Sequence, residues 1–198
     1  MQIYDISQEL FSACVYPGDP APKRETLSSM ERGALYNLTA FSMCAHNGTH
    51  IDAPAHFLRD GATVDALPLS KTVGLCTVIE HDGILTAADA LHLLADAEKV
   101  SPEASRRILI KGKATVSNEA ARAFSEAHLE LLGNESQTVG PEDAPLASHL
   151  SLLSVGTVLL EGIRLSHVPA GIYLLSAAPI NLGGCEGAPC RALLITLS

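Results

Sequence analysis

His46-Asn47-Gly48-Thr49-His50-Ile51-Asp52-Ala53-Pro54-Ala55-His56-Phe57 places four potential metal ligands or bases, His46, His50, Asp52 and His56, within eleven residues. A lone histidine beside an apolar strand is more often packed or hydrogen-bonded than functional, but no structural need accounts for this density. Gly48 and Pro54 forbid a continuous helix, so the segment is extended or looped. One residue separates His50 from Asp52, so in an extended backbone both side chains leave on the same face and can converge on one ion. Gly48 supplies a bend that can bring His46 to that ion, and Pro54 stiffens the exit toward His56. A set of imidazole and carboxylate suits zinc, manganese or iron. Structural zinc sites are usually closed and rich in cysteine, so this cluster with its spare histidine favours catalysis over a non-catalytic metal-binding module.

Upstream of the cluster, Gln2–Ile6 reads as a first strand and Leu35–Met43 as a second that leads directly into it. Between them Tyr16-Pro17-Gly18-Asp19-Pro20 is a turn that presents Tyr16. Downstream, Gly74–Glu80 has the β-branched density of a buried strand, and Thr86-Ala87-Ala88-Asp89 is a capping box opening a helix to about Glu98. Arg107–Lys111 is a further strand. A second helix starts at Ser117 or Asn118 and runs through Glu126, and Leu129–Leu132 turns extended before Gly133. Ala144–Ser154 fits a short helix bearing His149, and Thr157–Glu161 a buried strand ending on Glu161. Ile172–Ile180 and Arg191–Leu197 are the last strands, joined by the Gly183-Gly184-Cys185-Glu186-Gly187 turn. This alternation predicts an α/β fold, and no linker-like stretch divides residues 1–198, so they are expected to form a single domain.

Charge and composition remove several function classes. A net charge of -9 with only 13 Lys+Arg argues against the phosphate attraction on which nucleic-acid binding depends. The longest apolar runs fall well short of the roughly 20 residues that span a bilayer, so no membrane partner is expected. Asp5, Gln8 and Glu9 stand where a signal peptide needs a basic start and an unbroken apolar stretch. Five cysteines with no C-x-x-C pair do not make a disulfide framework, which points to reduced thiols and a cytoplasmic location. His81, His92, His128 and His167 have no partner at ligand spacing, and Cys44 reads as small apolar packing at a strand end.

The segment His46–Phe57 matches H-x-G-T-H-x-D-x-P-x-H-F at every fixed position, and in this it resembles the cyclase family of metal-dependent hydrolases, which includes bacterial kynurenine formamidases and isatin hydrolases. The similarity extends to His149 and, twelve residues later, Glu161 in an L-E-G segment. It also takes in Tyr16-Pro17-Gly18-Asp19 and the C-terminal Pro189-Cys190-Arg191-Ala192, so it spans nearly the whole chain. The resemblance implies a swivelling β/β/α architecture with a mixed sheet core and flanking helices. It further implies that His46, His50 and Asp52 bind a first divalent ion, with Asp52 reaching toward a second, His149 binding the second and Glu161 touching both. His56 would be the general acid/base and Tyr16 the substrate-contacting aromatic. The implied cofactor is Zn²⁺ or Mn²⁺, one or two ions per subunit. The implied reaction is attack of a metal-bound hydroxide on a small-molecule amide, an arylformamide such as N-formylkynurenine or alternatively a cyclic amide such as an isatin-like lactam. By the same resemblance the protein is a homo-oligomer, a dimer or tetramer.

Overall fold

Short runs of consecutive apolar residues build the central strands. In the computed structural model, which describes residues 1–197, the chain opens with β1 (Ile3–Asp5), forms a hairpin of β2 (Lys23–Ser28) and β3 (Leu38–Ser42), and enters β4 (His50–Asp52). The middle comprises β5 (Val73–Glu80), β6 (Gly83–Leu85), α1 (Ala87–Val100), β7 (Arg107–Lys111), β8 (Ala114–Val116), α2 (Asn118–Glu126) and β9 (Leu131–Asn134). Then follow α3 (Leu146–Ser154), β10 (Val158–Glu161), β11 (Gly171–Ser176), β12 (Gly187–Pro189) and β13 (Leu193–Ile195).

Nine of these strands make one mixed sheet in the order β1-β13-β11-β5-β7-β9-β10-β4-β12. Its centre, β5-β7-β9-β10, is parallel, and α1, α2 and α3 are the crossovers that parallel pairing requires. The remaining strands pair antiparallel on either side. Successive side chains alternate between two cores. Ile108, Ile110, Leu132 and Leu159 pack with Phe124, Ala120 and Leu152 under the helices, whereas Leu109, Leu131 and Leu160 pack on the other face with Ile6, Ile51 and Leu175. A sheet covered on both faces explains why β7 and β10 are uniformly apolar but for Arg107, Lys111 and Glu161.

The helix boundaries follow their caps. Thr86 Oγ1 accepts from Asp89 N while Asp89 Oδ2 accepts from Thr86 N at 2.9 Å, so the expected capping box forms. Ser117 Oγ accepts from Ala120 N and starts α2.

Several strands differ from the reading of the sequence. The expected strand over Leu35–Met43 is shorter, Leu38–Ser42, and it pairs with β2, a segment the sequence does not announce. Both strands of this hairpin are mostly exposed, so no buried face imposes a recognisable alternation. The run Ile172–Ile180 stops as β11 at Ser176, and Arg191–Leu197 narrows to Leu193–Ile195. The glycine turn between them ends in a strand, β12, that lies at the sheet edge, where Pro189 is tolerated. β6 and β8 form a separate parallel pair.

The topology places the cluster. β4 lies between β10 and β12, with His50 directly opposite Glu161 and Pro189, and Asp52 opposite Leu159 and Gly187.

Candidate metal centre

The turn before β4 is fixed by Cys44 and Asn47: Asn47 N donates to Cys44 O, and Asn47 Oδ1 accepts from Cys44 N at 2.8 Å. Gly48 then takes a left-handed φ of 67°. It packs against Gly162, which follows β10 at φ 68°; a Cβ on Gly162 would lie 2.4 Å from Gly48 O. This close approach brings the start of the motif against the end of the Glu161 strand. Thr49 Oγ1 donates to Gly162 O at 2.8 Å, and Gln137 Nε2 donates to Gly48 O at 2.9 Å, so two polar side chains tie the crossing together.

His46, His50, Asp52, His149 and Glu161 converge. Their donor atoms form two sets, His46-His50-Asp52 and Asp52-His149-Glu161, each within 4.8 Å. Asp52 Oδ1 faces His46 Nδ1 at 2.8 Å and His50 Nε2 at 3.4 Å, while its Oδ2 faces His149 Nε2 at 3.5 Å. Glu161 also divides its oxygens, Oε2 lying 3.4 Å from His50 Nε2 and Oε1 3.3 Å from His149 Nε2. Glu161 Oε1 additionally accepts from Val139 N. Both outlying ligand candidates come from elements the sequence indicates: His149 from α3 and Glu161 from the last residue of β10.

The donor set fits a divalent cation. Four of the five separations, 3.3 to 3.5 Å, match the edge of a tetrahedron around an ion bound at about 2.1 Å, roughly 3.4 Å, whereas His46 Nδ1 and Asp52 Oδ1 stand at hydrogen-bond distance, 2.8 Å. Asp52 Oδ2 is buried without a hydrogen bond, since His149 at 3.5 Å is too far to donate well. A buried carboxylate oxygen left unpaired is costly unless a cation meets it. His50 Nδ1 donates to Gly48 O and His149 Nδ1 to Pro145 O, each at 2.9 Å, which turns both Nε2 atoms inward, where they face the carboxylates and can bind a cation once their protons are lost.

Electrostatics in the metal-free site follow this pairing. Burial pushes the Asp52 carboxyl up, but contact with His149, His46 and His50 outweighs it and holds the group well below its usual range. Burial pulls His50 and His149 down, yet Asp52 and Glu161 raise each to about 10. His56 behaves differently. It sits on a 3-10 turn begun by Pro54, outside both donor sets, with Nε2 4.0 Å from Asp52 Oδ2 and its ring stacked on His46 at 4.1 Å. Burial lowers its pKa, and the charges of His46 and His149 act in the same direction against the pull of Asp52 and Glu161.

A cavity of about 280 Å³ opens onto the cluster, lined by these histidines and Glu161 together with Tyr16, Asp19, Phe57, Gln137, Thr138 and Pro145. Tyr16 therefore reaches the cavity, with its hydroxyl donating to Glu142 O at 2.8 Å. Phe57 lies with its ring 4.6 Å from that of His149. Cys44 is half-buried, with Sγ 3.7 Å from Asp19 Oδ2. His92, which the sequence leaves without a partner, makes an exposed contact with Asp96 at 3.4 Å, one helical turn on. Glu186, which sequence reasoning passes over, lies 3.2 Å from His46 Nε2. Its only signal is the glycine turn, and its proximity depends on β12 pairing with β4.

Comparison with known proteins agrees with this geometry. Residues 4–140 match the Cyclase family model, described as "Putative cyclase". The kynurenine formamidase of Salinibacter ruber is 34% identical over 98% of this chain and 97% of its own, and that of Bacillus anthracis 32% identical over 96% and 95%. A solved structure from Bacillus stearothermophilus, described as a predicted metal-dependent hydrolase, superposes with a TM-score of 0.79 at 28% identity, covering 98% of this chain and 97% of the other. Isatin hydrolase A from Labrenzia aggregata shares the fold at a TM-score of 0.79 and 23% identity, over 98% and 94% of the two chains. Relatives that align from end to end, and a motif whose histidines and carboxylates meet in space, establish that this chain belongs to the cyclase family.

Proposed function

We propose that the protein is a metal-dependent amidohydrolase that cleaves the C–N bond of an arylformamide such as N-formylkynurenine. The observation that carries this reading is the combination of two donor sets sharing Asp52 with an uncommitted His56 on the same cavity. Full-length kynurenine formamidase relatives point to the same bond type. His46, His50 and Asp52 hold one divalent ion; Asp52, His149 and Glu161 hold a second; Zn²⁺ and Mn²⁺ both suit the donors. A bound cation polarises the scissile carbonyl and makes water more acidic.

The chain's own groups supply the rest. His56, with its depressed pKa, is neutral at pH 7 and can accept a proton from the attacking water. As the C–N bond breaks, it returns that proton to the departing nitrogen, so water is consumed, an arylamine and formic acid, which ionises to formate and a proton, leave, and His56 is regenerated. Tyr16 and Phe57 flank the cavity as aromatic surfaces for the substrate ring, and about 280 Å³ suits a single ring with a short side chain. Steady-state assay of formanilides, N-formylkynurenine, isatin-like lactams and cyclic imides, after chelation and reconstitution with Zn²⁺ or Mn²⁺, tests the assignment. Formamide turnover that depends on added metal is expected. Preference for lactams would move the substrate to the cyclic amides, and no turnover of any member would overturn the reading.

The metal reading also has a thermodynamic consequence. With pKa values of about 10, His50 and His149 carry protons at pH 7 in the metal-free protein. A cation displaces those protons, so Zn²⁺ binding at pH 7 is expected to release protons and to tighten as pH rises toward 10. Calorimetry in two buffers of different ionisation enthalpy measures this. Identical heats in both would contradict it.

We place the protein in the cytoplasm as a homo-oligomer. No helix among the described residues is long and apolar enough to cross a membrane. The hairpin β2-β3 and its connection expose Leu27, Met30, Leu35, Tyr36, Leu38 and Phe41, with Leu35 at 95% exposure. This many exposed apolar side chains in one hairpin favours a second copy as their cover. The double variant L35D/F41D is expected to halve the mass seen by light scattering, or more for a tetramer; an unchanged mass would remove the hairpin from the interface.

A further inference from the structure

We infer that Glu186 and Gly187 form the seat that orients His46 toward its cation, with Glu186 acting as a positioning residue for metal binding; this rests on the metal reading above. The three histidines of the donor sets are held in two ways. His50 and His149 each donate Nδ1 to a main-chain carbonyl, Gly48 O and Pro145 O, and turn Nε2 inward. His46 is reversed: its Nδ1 faces Asp52 Oδ1 at 2.8 Å, and its Nε2 points away from the cluster. Among the described residues no carbonyl meets that outer nitrogen. The Glu186 carboxylate accepts from it instead, at 3.2 Å.

Gly187 completes the seat. A Cβ at this position would lie 2.6 Å from His46 Cε1 and 3.1 Å from Nε2, so the ring occupies space that only glycine leaves free. The His56 ring stacks on His46 at 4.1 Å. Glu186 is itself anchored to the motif, because its carbonyl accepts from Ala53 N at 2.9 Å and the next residue pairs with Asp52 across the β4-β12 ladder. The glycine turn near the C-terminus thus carries a function that its composition alone does not show.

The chemical consequence is directional. A carboxylate on the outer N–H keeps the proton there, leaves the inner nitrogen free to bind, and raises its basicity, and loss of such a partner typically weakens metal binding by about 10- to 100-fold. The Glu186 side chain is 46% exposed, so truncating it empties no core. Titration of the metal-free protein with Zn²⁺ against a chromophoric chelator reads the effect. Glu186→Ala is expected to weaken the His46-dependent ion by about 10- to 100-fold, and Glu186→Gln by less because its amide oxygen still accepts the N–H. The melting temperature of the metal-free protein should not change. In a His46→Ala background, Glu186→Ala should add nothing.

Affinity within about twofold of wild type for Glu186→Ala, while His46→Ala is strongly weakened, would overturn the inference and leave the metal reading standing. An equal loss for Glu186→Ala with and without His46 would also overturn it. If His46→Ala itself bound Zn²⁺ like wild type, the metal reading would fail and take this inference with it. Gly187→Ala offers a second probe that retains the carboxylate: its methyl group should displace the ring and weaken the same ion.

Discussion

His56→Ala is expected to lower kcat on the preferred formamide by about 10²- to 10⁴-fold, the range typical of a lost general acid/base, with metal content per chain unchanged. The reason is geometric. His56 lies outside both donor sets, 4.0 Å from the nearest carboxylate oxygen, and its side chain is 27% exposed on the cavity wall. Removing it therefore takes away no ligand and opens no core void. Because the proton is in transit only in the transition state, kcat and kcat/KM should fall together with little change in KM. Metal analysis after dialysis, run beside the kinetics, makes the result decisive. A variant that lost metal and fold together would point to a structural metal module; a variant with near-normal turnover would leave the proton transfer to another group.

What the sequence shows and what it hides divide along sequence separation. His46, His50, Asp52 and His56 are legible because a metal-binding strand and its flanking turns need particular residue types at short spacing, and Gly48 and Pro54 mark the bends. His149 and Glu161 are recognisable only through resemblance to a family. In isolation His149 is one polar residue within a short apolar helix and Glu161 one at the end of an apolar strand, and what makes Glu161 a partner is its antiparallel register opposite His50. Register between segments a hundred residues apart is a tertiary property. Glu186 is hidden for the same reason and one more: its turn is rich in glycine, and a strand as short as β12 at a sheet edge lacks the apolar alternation that identifies strands. The central parallel strands and helices α1 and α2 are legible because burial on two faces and explicit caps leave local signatures. The β2-β3 hairpin leaves none, since its residues are largely exposed on both faces.

Asp52→Ala is expected to abolish binding at both ion positions, a broader loss than any other single ligand substitution should give. His46 and His149 each serve one set, whereas Asp52 offers Oδ1 to one and Oδ2 to the other. Metal analysis after dialysis against Zn²⁺-containing buffer should find neither ion retained, and amide turnover should fall to background. The metal-free protein should suffer as well. Asp52 is fully buried, and without it the protonated His50 and His149 share only Glu161, a broken buried ion cluster of the kind that costs about 3–5 kcal/mol. The sign with pH follows from its depressed pKa: this stabilisation is present above the ordinary carboxylate value of 3.8 and is lost as pH falls below it. His50 and His149, raised from 6.5 to about 10, add the opposite limb, so thermal melts of metal-free wild type and variant should differ most between pH 3.8 and 6.5 and converge in acid. Retention of one ion by Asp52→Ala would mean that the two sets do not share this carboxylate. The contrast with His56→Ala, which should keep both ions and lose only turnover, separates the groups that hold the cations from the one that moves the proton.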